Sequence, residues 1–89
     1  MNNVRVEVVE VKGQCSAGLK VGGGFTLRHG VLIQPNGPLC IYAIAALSNY
    51  LTGVSFERPG SGWITGVDRL QCPDPANTVV FRVIRVNRE

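Results

Sequence analysis

The sequence predicts an α+β fold: a curled, mostly antiparallel sheet packed on one apolar helix. Three patterns lead to this fold class. They are alternating apolar residues near both ends of the chain, a glycine-bounded hairpin between them, and one mostly apolar segment of helical length. A chain of 89 residues has the size of one domain, so residues 1–89 are assigned to a single unit.

The two terminal strands are predicted from an alternation that changes phase. In residues 4–12 the apolar positions move by one residue after Val8, and in residues 78–87 a comparable change falls between Val83 and Ile84. A phase change of one residue is typical of a β-bulge. Because the two patterns match, we expect the N- and C-terminal strands to be adjacent in the sheet.

A hairpin is predicted in the centre of the chain. Residues 25–28 and 31–33 form short strands, and His29-Gly30 between them suits a two-residue turn because glycine readily takes a positive φ. Gln34-Pro35-Asn36-Gly37 is expected to break the second strand, since proline and glycine interrupt regular structure.

One segment has the length and composition of a helix. Pro38 fits the first helical position, the helix is predicted over residues 39–51, and Thr52-Gly53 is expected to cap its end. Its apolar residues cover most of the circumference, as in a helix that is buried on more than one side. Because the sheet can cover only one side, we expect the other side to meet a second copy of the chain.

Residues 54–71 carry weaker patterns. Arg58-Pro59-Gly60-Ser61-Gly62 is predicted to be a loop, and Trp63-Ile64 a short strand or an anchor. Val67-Asp68-Arg69-Leu70-Gln71 is predicted to be a further short strand before the proline-rich turn.

Composition argues against a nucleic-acid or membrane partner. Nine Lys and Arg against six Asp and Glu give a net charge of +3, and these residues are mixed rather than clustered with aromatics as in nucleic-acid binders. The longest apolar run has nine residues, too few to cross a bilayer. With 45% hydrophobic and 17% charged residues, the surface is expected to be partly covered by another subunit, which predicts a homo-oligomer.

Three cysteines carry the candidate chemistry. Cys15, Cys40 and Cys72 lie close to glycine or proline, at positions where strands or a helix should begin or end, so their thiols could converge. An odd number of cysteines cannot form a closed disulfide framework. The start Met1-Asn2-Asn3 has no signal-peptide pattern, so we expect a reducing cytoplasm with free or metal-bound thiols.

Cys15, Cys40 and Cys72 could form a metal site if they converge. With His29 or Asp74 as the fourth ligand they would suit tetrahedral zinc, and iron is the other candidate. The chain lacks the C-x-x-C spacing typical of such sites, so no cofactor is the simpler expectation. Asp74 stands between two prolines and is expected to cap a turn through its own backbone.

Cys40 is also considered as a nucleophile. It falls in the first turn of the predicted helix, where the helix dipole stabilises a thiolate; the alternative is a small apolar residue packed at the helix start. No Ser-His-Asp set can be assembled, because the sole histidine, His29, falls in a predicted turn. No catalytic residue is therefore assigned, and an enzyme is not favoured.

Three stretches carry a resemblance to a known family. They are Val9-Glu10-Val11-Lys12-Gly13-Gln14-Cys15-Ser16-Ala17-Gly18-Leu19-Lys20-Val21-Gly22, then Cys40, then Cys72-Pro73-Asp74-Pro75-Ala76-Asn77-Thr78-Val79-Val80-Phe81. In this order they resemble a family of short, uncharacterised bacterial and archaeal proteins, also called uncharacterised repeat protein. The chain differs from that family at Leu19, Gly23 and Ile41, where the family pattern has a histidine, an acid and a proline. The resemblance implies the fold and the cysteine placement, and it implies no activity.

Two functions follow from these observations. The first is a small cytoplasmic binding or self-assembly module of unknown ligand, which associates through the helix or through exposed edges of the strands at residues 4–12 and 78–87. The second is a thiol or metal-site protein that uses the three cysteines. Sulfurs that converge at a polar opening would favour the second function, and sulfurs scattered among Val and Leu would exclude it.

Overall fold

The computed structural model describes residues 2–56 and 68–88, which form a five-stranded antiparallel sheet with one helix packed on it. The elements are β1 (Asn2–Val11), β2 (Gly24–Arg28), β3 (Val31–Asn36), α1 (Ile41–Phe56), β4 (Arg69–Gln71) and β5 (Val79–Arg88). The strand order is β3-β2-β1-β5-β4. The predicted α+β fold, with adjacent terminal strands and a central hairpin, is confirmed. The loop and strand predicted at 58–62 and 63–64 lie outside the described residues.

The central ladder of the sheet joins β1 to β5. Its register shifts between Val8 and Glu10 of β1, which is where the alternation of the sequence changes phase. A second shift lies between the pairs Asn2–Arg88 and Val4–Arg85, beyond the phase change predicted within β5. Both shifts are β-bulges or irregularities of the kind that increase strand twist. The irregularity predicted in β1 and the adjacency of the two strands are confirmed, whereas the irregularity of the ladder near the end of β5 does not lie at the predicted position between Val83 and Ile84.

The hairpin of β2 and β3 has the predicted two-residue turn, but its second strand is longer than predicted. His29 and Gly30 have φ values of 51° and 79°, the positive pair of a type I′ turn. β3 continues to Asn36 because Gln34, with a φ of 49°, forms an irregularity that keeps Pro35 within an edge strand. The guanidinium of Arg5 donates to the Gln34 carbonyl at 3.1 Å and stabilises this conformation.

Helix α1 begins and ends later than predicted. The Ile44 amide donates to the Cys40 carbonyl at 2.9 Å, so Cys40 is the N-cap residue rather than part of the first turn. Gly53 lies inside the helix instead of capping it. The reason is that Val54 is fully buried in the core, and its burial outweighs the roughly 1 kcal/mol by which glycine disfavours a helix interior.

The core lies between one face of the sheet and one side of α1. The helix contributes Ala43, Leu47, Leu51 and Val54. The sheet contributes alternate residues of three strands: Val4, Val6, Val8, Phe25, Val79, Phe81 and Val83. The other face of the sheet carries charged side chains, with Arg5 Nε 3.7 Å from the Glu7 carboxylate. Among the described residues, no helix is long and apolar enough to cross a membrane.

Gly24 of β2 packs directly against the backbone of β1 at Val6, and substitution of this glycine tests the packing. Its φ is +148°, and a Cβ added there would overlap the Val6 carbonyl oxygen. Gly24→Ala should lower the free energy of unfolding by about 3 kcal/mol or more, since relief of the overlap would disrupt the ladder. The matched control is Gly30→Ala, which has a φ of +79° and open space around it. It should cost only about 1–2 kcal/mol. Urea unfolding followed by circular dichroism measures both, and equal losses would contradict the packing described.

Candidate functional site

All three cysteines line one pocket, which we call the cysteine pocket. Cys15, Cys40 and Cys72 are free and half-buried, and the pocket has a volume of about 280 Å³. Asp74 and Asn77 add polar groups to the lining. The structure therefore brings the three sequence-predicted residues to the same place, at an opening that is partly polar.

The pocket forms where the ends of three elements meet. Cys15 lies in the loop after β1, Cys40 caps α1, and Cys72 directly follows β4. The Cys15 carbonyl accepts a hydrogen bond from the Gly18 amide at 3.0 Å, which closes a turn in the first of these loops. The three cysteines at element ends thus line one pocket, and the adjacency of β1, β5 and β4 brings the loops of Cys15 and Cys72 together.

Cys72 is held in its loop by both its backbone and its sulfur. Its amide donates to the Val79 carbonyl at 3.0 Å, and the Val79 amide donates to Sγ at 3.2 Å. The thiol in turn lies 3.9 Å from the Asn77 carbonyl, to which it donates. The sulfur of Cys72 therefore helps to shape the turn between β4 and β5 while it lines the pocket.

Asp74 organises the Cys-Pro-Asp-Pro turn. Its Oδ1 accepts hydrogen bonds from the amides of Ala76 at 2.9 Å and Asn77 at 3.1 Å, and the Thr78 hydroxyl donates to its carbonyl at 2.5 Å. The hydrogen bonds from the Asn77 and Ala76 amides lower the pKa of Asp74 below 3.8. The prediction that Asp74 caps a turn through its own backbone is confirmed.

Asn77 joins two of the loops that form the pocket. Its Oδ1 accepts a hydrogen bond from the Gln14 amide at 2.9 Å, next to Cys15. Close by, the Lys12 amide donates to the Thr78 carbonyl at 2.7 Å. Sequence reasoning did not single out Asn77, because its partner is 63 residues away and no local pattern shows such a contact.

The cysteine pocket is not arranged as a metal centre. The described residues include no group of three or more His, Cys, Asp or Glu side chains that could hold a metal ion. His29, one candidate fourth ligand, lies in the turn between β2 and β3 and does not line the pocket. Asp74, the other candidate, lines the pocket while its Oδ1 accepts two backbone hydrogen bonds.

A second candidate site is the side of α1 that points away from the sheet, which we call the outer face. It consists of Tyr42, Ala45, Asn49, Thr52 and Phe56, at alternating spacings of three and four residues, with Ile41 beside them. Tyr42 is 76% exposed, Ile41 68% and Phe56 63%. No residue of α1 is charged. The sequence predicts a helix that is apolar on nearly all sides. In this chain the sheet covers only one of those sides.

Among the strands that the structure describes, β3 and β4 lie at the edges of the sheet rather than the terminal strands. The expectation that the strands at residues 4–12 and 78–87 are edge strands is wrong, because besides pairing with each other, β1 pairs with β2 over residues 4–7 and β5 pairs with β4 over residues 80–82. β3 carries Pro35 and the positive φ of Gln34, features that hinder pairing with another strand. β4 is only three residues long. Both edges are poor templates for sheet extension.

Comparison of the chain with protein-family models, with curated proteins and with solved structures finds no match. The resemblance to the family of short bacterial and archaeal proteins stays a prediction. The function is therefore inferred from the cysteine pocket and the outer face of α1.

The lowered pKa of Asp74 predicts how the stability of this turn depends on pH. A carboxyl group with a lower pKa in the folded chain stabilises the fold above its unfolded pKa, and this contribution is lost as the pH falls through the folded pKa. Wild type should therefore have a higher Tm than Asp74→Asn at neutral pH, and the difference should vanish well below the unfolded value of 3.8. Asparagine can accept the same two backbone hydrogen bonds, so the comparison isolates the charge. A difference in Tm that does not change with pH would contradict the assignment.

Proposed function

We propose that this chain is a small cytoplasmic self-assembly module that forms a homo-oligomer through the outer face of α1. One observation supports the proposal above all others. A 16-residue helix without a charged residue leaves Tyr42, Ile41 and Phe56 largely exposed. Exposed apolar side chains at both ends of an uncharged helix face make that face a candidate interaction surface.

The size of the outer face is consistent with a stable interface. Tyr42 and Phe56 present roughly 280 Å² of aromatic surface, at about 200 Å² for each whole side chain. Each partner in a stable interface buries about 800 Å². The remainder can come from exposed residues around the aromatics, which are Ile41, Ala45, Ala46, Ser48, Asn49 and Thr52.

A second copy of the chain is the partner that fits this surface. In a twofold oligomer the same patch lies on both sides of the interface, so charges of one sign on it would be brought together. The outer face contains no charged residue and can therefore meet itself without like-charge repulsion. The protected edges β3 and β4 make sheet extension the weaker route.

Native mass spectrometry with one substitution on the outer face tests the proposal. Wild type should have a mass that is a multiple of the 9.6 kDa chain mass, and Tyr42→Glu should have the chain mass itself. Position 42 lies in the first helical turn, where a carboxylate favours the helix, so this variant should fold. Val21→Glu is the matched control, because Val21 is 66% exposed outside α1, and it should keep the wild-type mass. A wild type that has the chain mass at every concentration would overturn the proposal.

A thiol or metal site at the cysteine pocket is the second candidate function. The observation that favours it is that three free cysteines line one pocket together with Asp74 and Asn77. Binding of zinc or iron would require the side chains to rearrange, because the described residues form no ligand group. This function also differs from the first in that it needs no second copy of the chain.

Thiol protection tests this second function. If Cys15, Cys40 and Cys72 bind zinc, one equivalent of the metal should protect all three from alkylation, since a metal-bound thiolate is not free to react. Counting the modified cysteines by mass spectrometry, with and without zinc, measures the protection. Cys15→Ser removes one ligand and should leave the other two thiols reactive in the presence of zinc. Alkylation of all three wild-type cysteines at the same rate with and without zinc would exclude the metal site.

A further inference from the structure

The outer face of α1 has the residue spacing of a coiled-coil seam. Tyr42, Ala45, Asn49, Thr52 and Phe56 follow one another at spacings of three, four, three and four residues, which are the a and d positions of two successive heptads. The residues that pack on the sheet occupy other positions, namely Ala43, Leu47, Leu51 and Val54. Helix α1 therefore packs on its own sheet with one side and presents a seam for a second helix with the other.

Asn49 lies at the midpoint of this seam. Tyr42 precedes it by seven residues and Phe56 follows it by seven. At a rise of 1.5 Å per residue, the Cα atoms of Tyr42 and Phe56 each lie about 10 Å from that of Asn49 along the helix axis. The seam thus has an apolar aromatic group at each end, small or polar residues between them, and one amide at its centre.

We infer that two copies of α1 pair antiparallel about a twofold axis that passes beside Asn49. This inference rests on the proposed function, self-association through the outer face. In such a pair, Tyr42 of one copy lies opposite the partner's Phe56, and the reciprocal contact forms at the other end. Each Asn49 amide lies next to the partner's Asn49, where a carboxamide can donate and accept at the same time. A parallel pair would instead place each aromatic residue against its own copy.

The ends of the helix favour the antiparallel arrangement. Its first turn has no acidic residue and its last turn no basic residue, so no side-chain charge offsets the helix dipole. In an antiparallel pair, the positive N-terminal end of each helix lies beside the negative C-terminal end of the other, which is the favourable orientation. Ala45 is small and permits a close approach of the two backbones on either side of the axis.

A charge-pair design tests the orientation. Tyr42→Glu places a carboxylate against the partner's Phe56 ring, and Phe56→Lys removes the apolar Phe56 ring from both ends of the pair, so each single variant should weaken dimerisation at least about 30-fold. A glutamate near the N-terminal end of the helix and a lysine at its C-terminal end both interact favourably with the helix dipole, so the variants should fold. In the antiparallel pair the double variant brings opposite charges together at both ends, and sedimentation equilibrium should show that the dimer returns. The matched control is Tyr42→Glu with Phe56→Glu, which brings like charges together and should remain monomeric.

The outcomes separate the orientation from the proposed function. A dimeric wild type, monomeric single variants and a restored Tyr42→Glu/Phe56→Lys dimer would support antiparallel pairing. If the single variants are monomeric and this double variant also stays monomeric, the outer face is the interface but the antiparallel orientation is overturned. If the wild type is monomeric, or the single variants dimerise like wild type, self-association through the outer face itself fails, and the orientation fails with it.

Discussion

The pairing of β1 with β5 is the interaction on which the rest of the structure depends. These two ten-residue strands form the centre of the sheet and bring the two ends of the described chain together. The hairpin of β2 and β3 pairs with β1, β4 pairs with β5, and α1 covers the apolar face. Near Lys12 and Thr78, the same pairing brings together the loops that carry Cys15 and Cys72. Both candidate sites therefore depend on this one ladder.

Helix α1 has apolar side chains that the sheet does not cover, and the proposed function follows from this. The sheet has one apolar face, which the inner side of α1 covers, while its other face carries polar groups such as Arg5 and Glu7. The helix has apolar residues on both sides. The hydrophobic effect favours removal of the second side from water, and the uncharged seam around Asn49 can do this by meeting itself. The cysteine pocket lies at the N-terminal end of the same helix, where Tyr42 belongs both to its lining and to the outer face.

Local patterns in the sequence were enough to predict the strands, the His29-Gly30 turn, the adjacency of the terminal strands and the placement of cysteines at element ends. Features that depend on distant contacts were missed. β3 continues past Ile33 because Arg5 of another strand binds the Gln34 carbonyl, and α1 continues through Gly53 because the following residue is buried by the sheet. The true edges of the sheet depend on which strands pair, which alternation alone does not reveal. The seam on α1 became visible only when the structure showed which side of the helix the sheet covers.

The most direct test of self-association through α1 is isotope-filtered NMR on a mixture of labelled and unlabelled chains, which detects only contacts between different copies. The account predicts intermolecular contacts confined to the outer face, with the Tyr42 ring close to the partner's Phe56. Intermolecular contacts from β3 or from the face of the sheet away from α1, with none from α1, would contradict it. So would a complete absence of intermolecular contacts at high protein concentration.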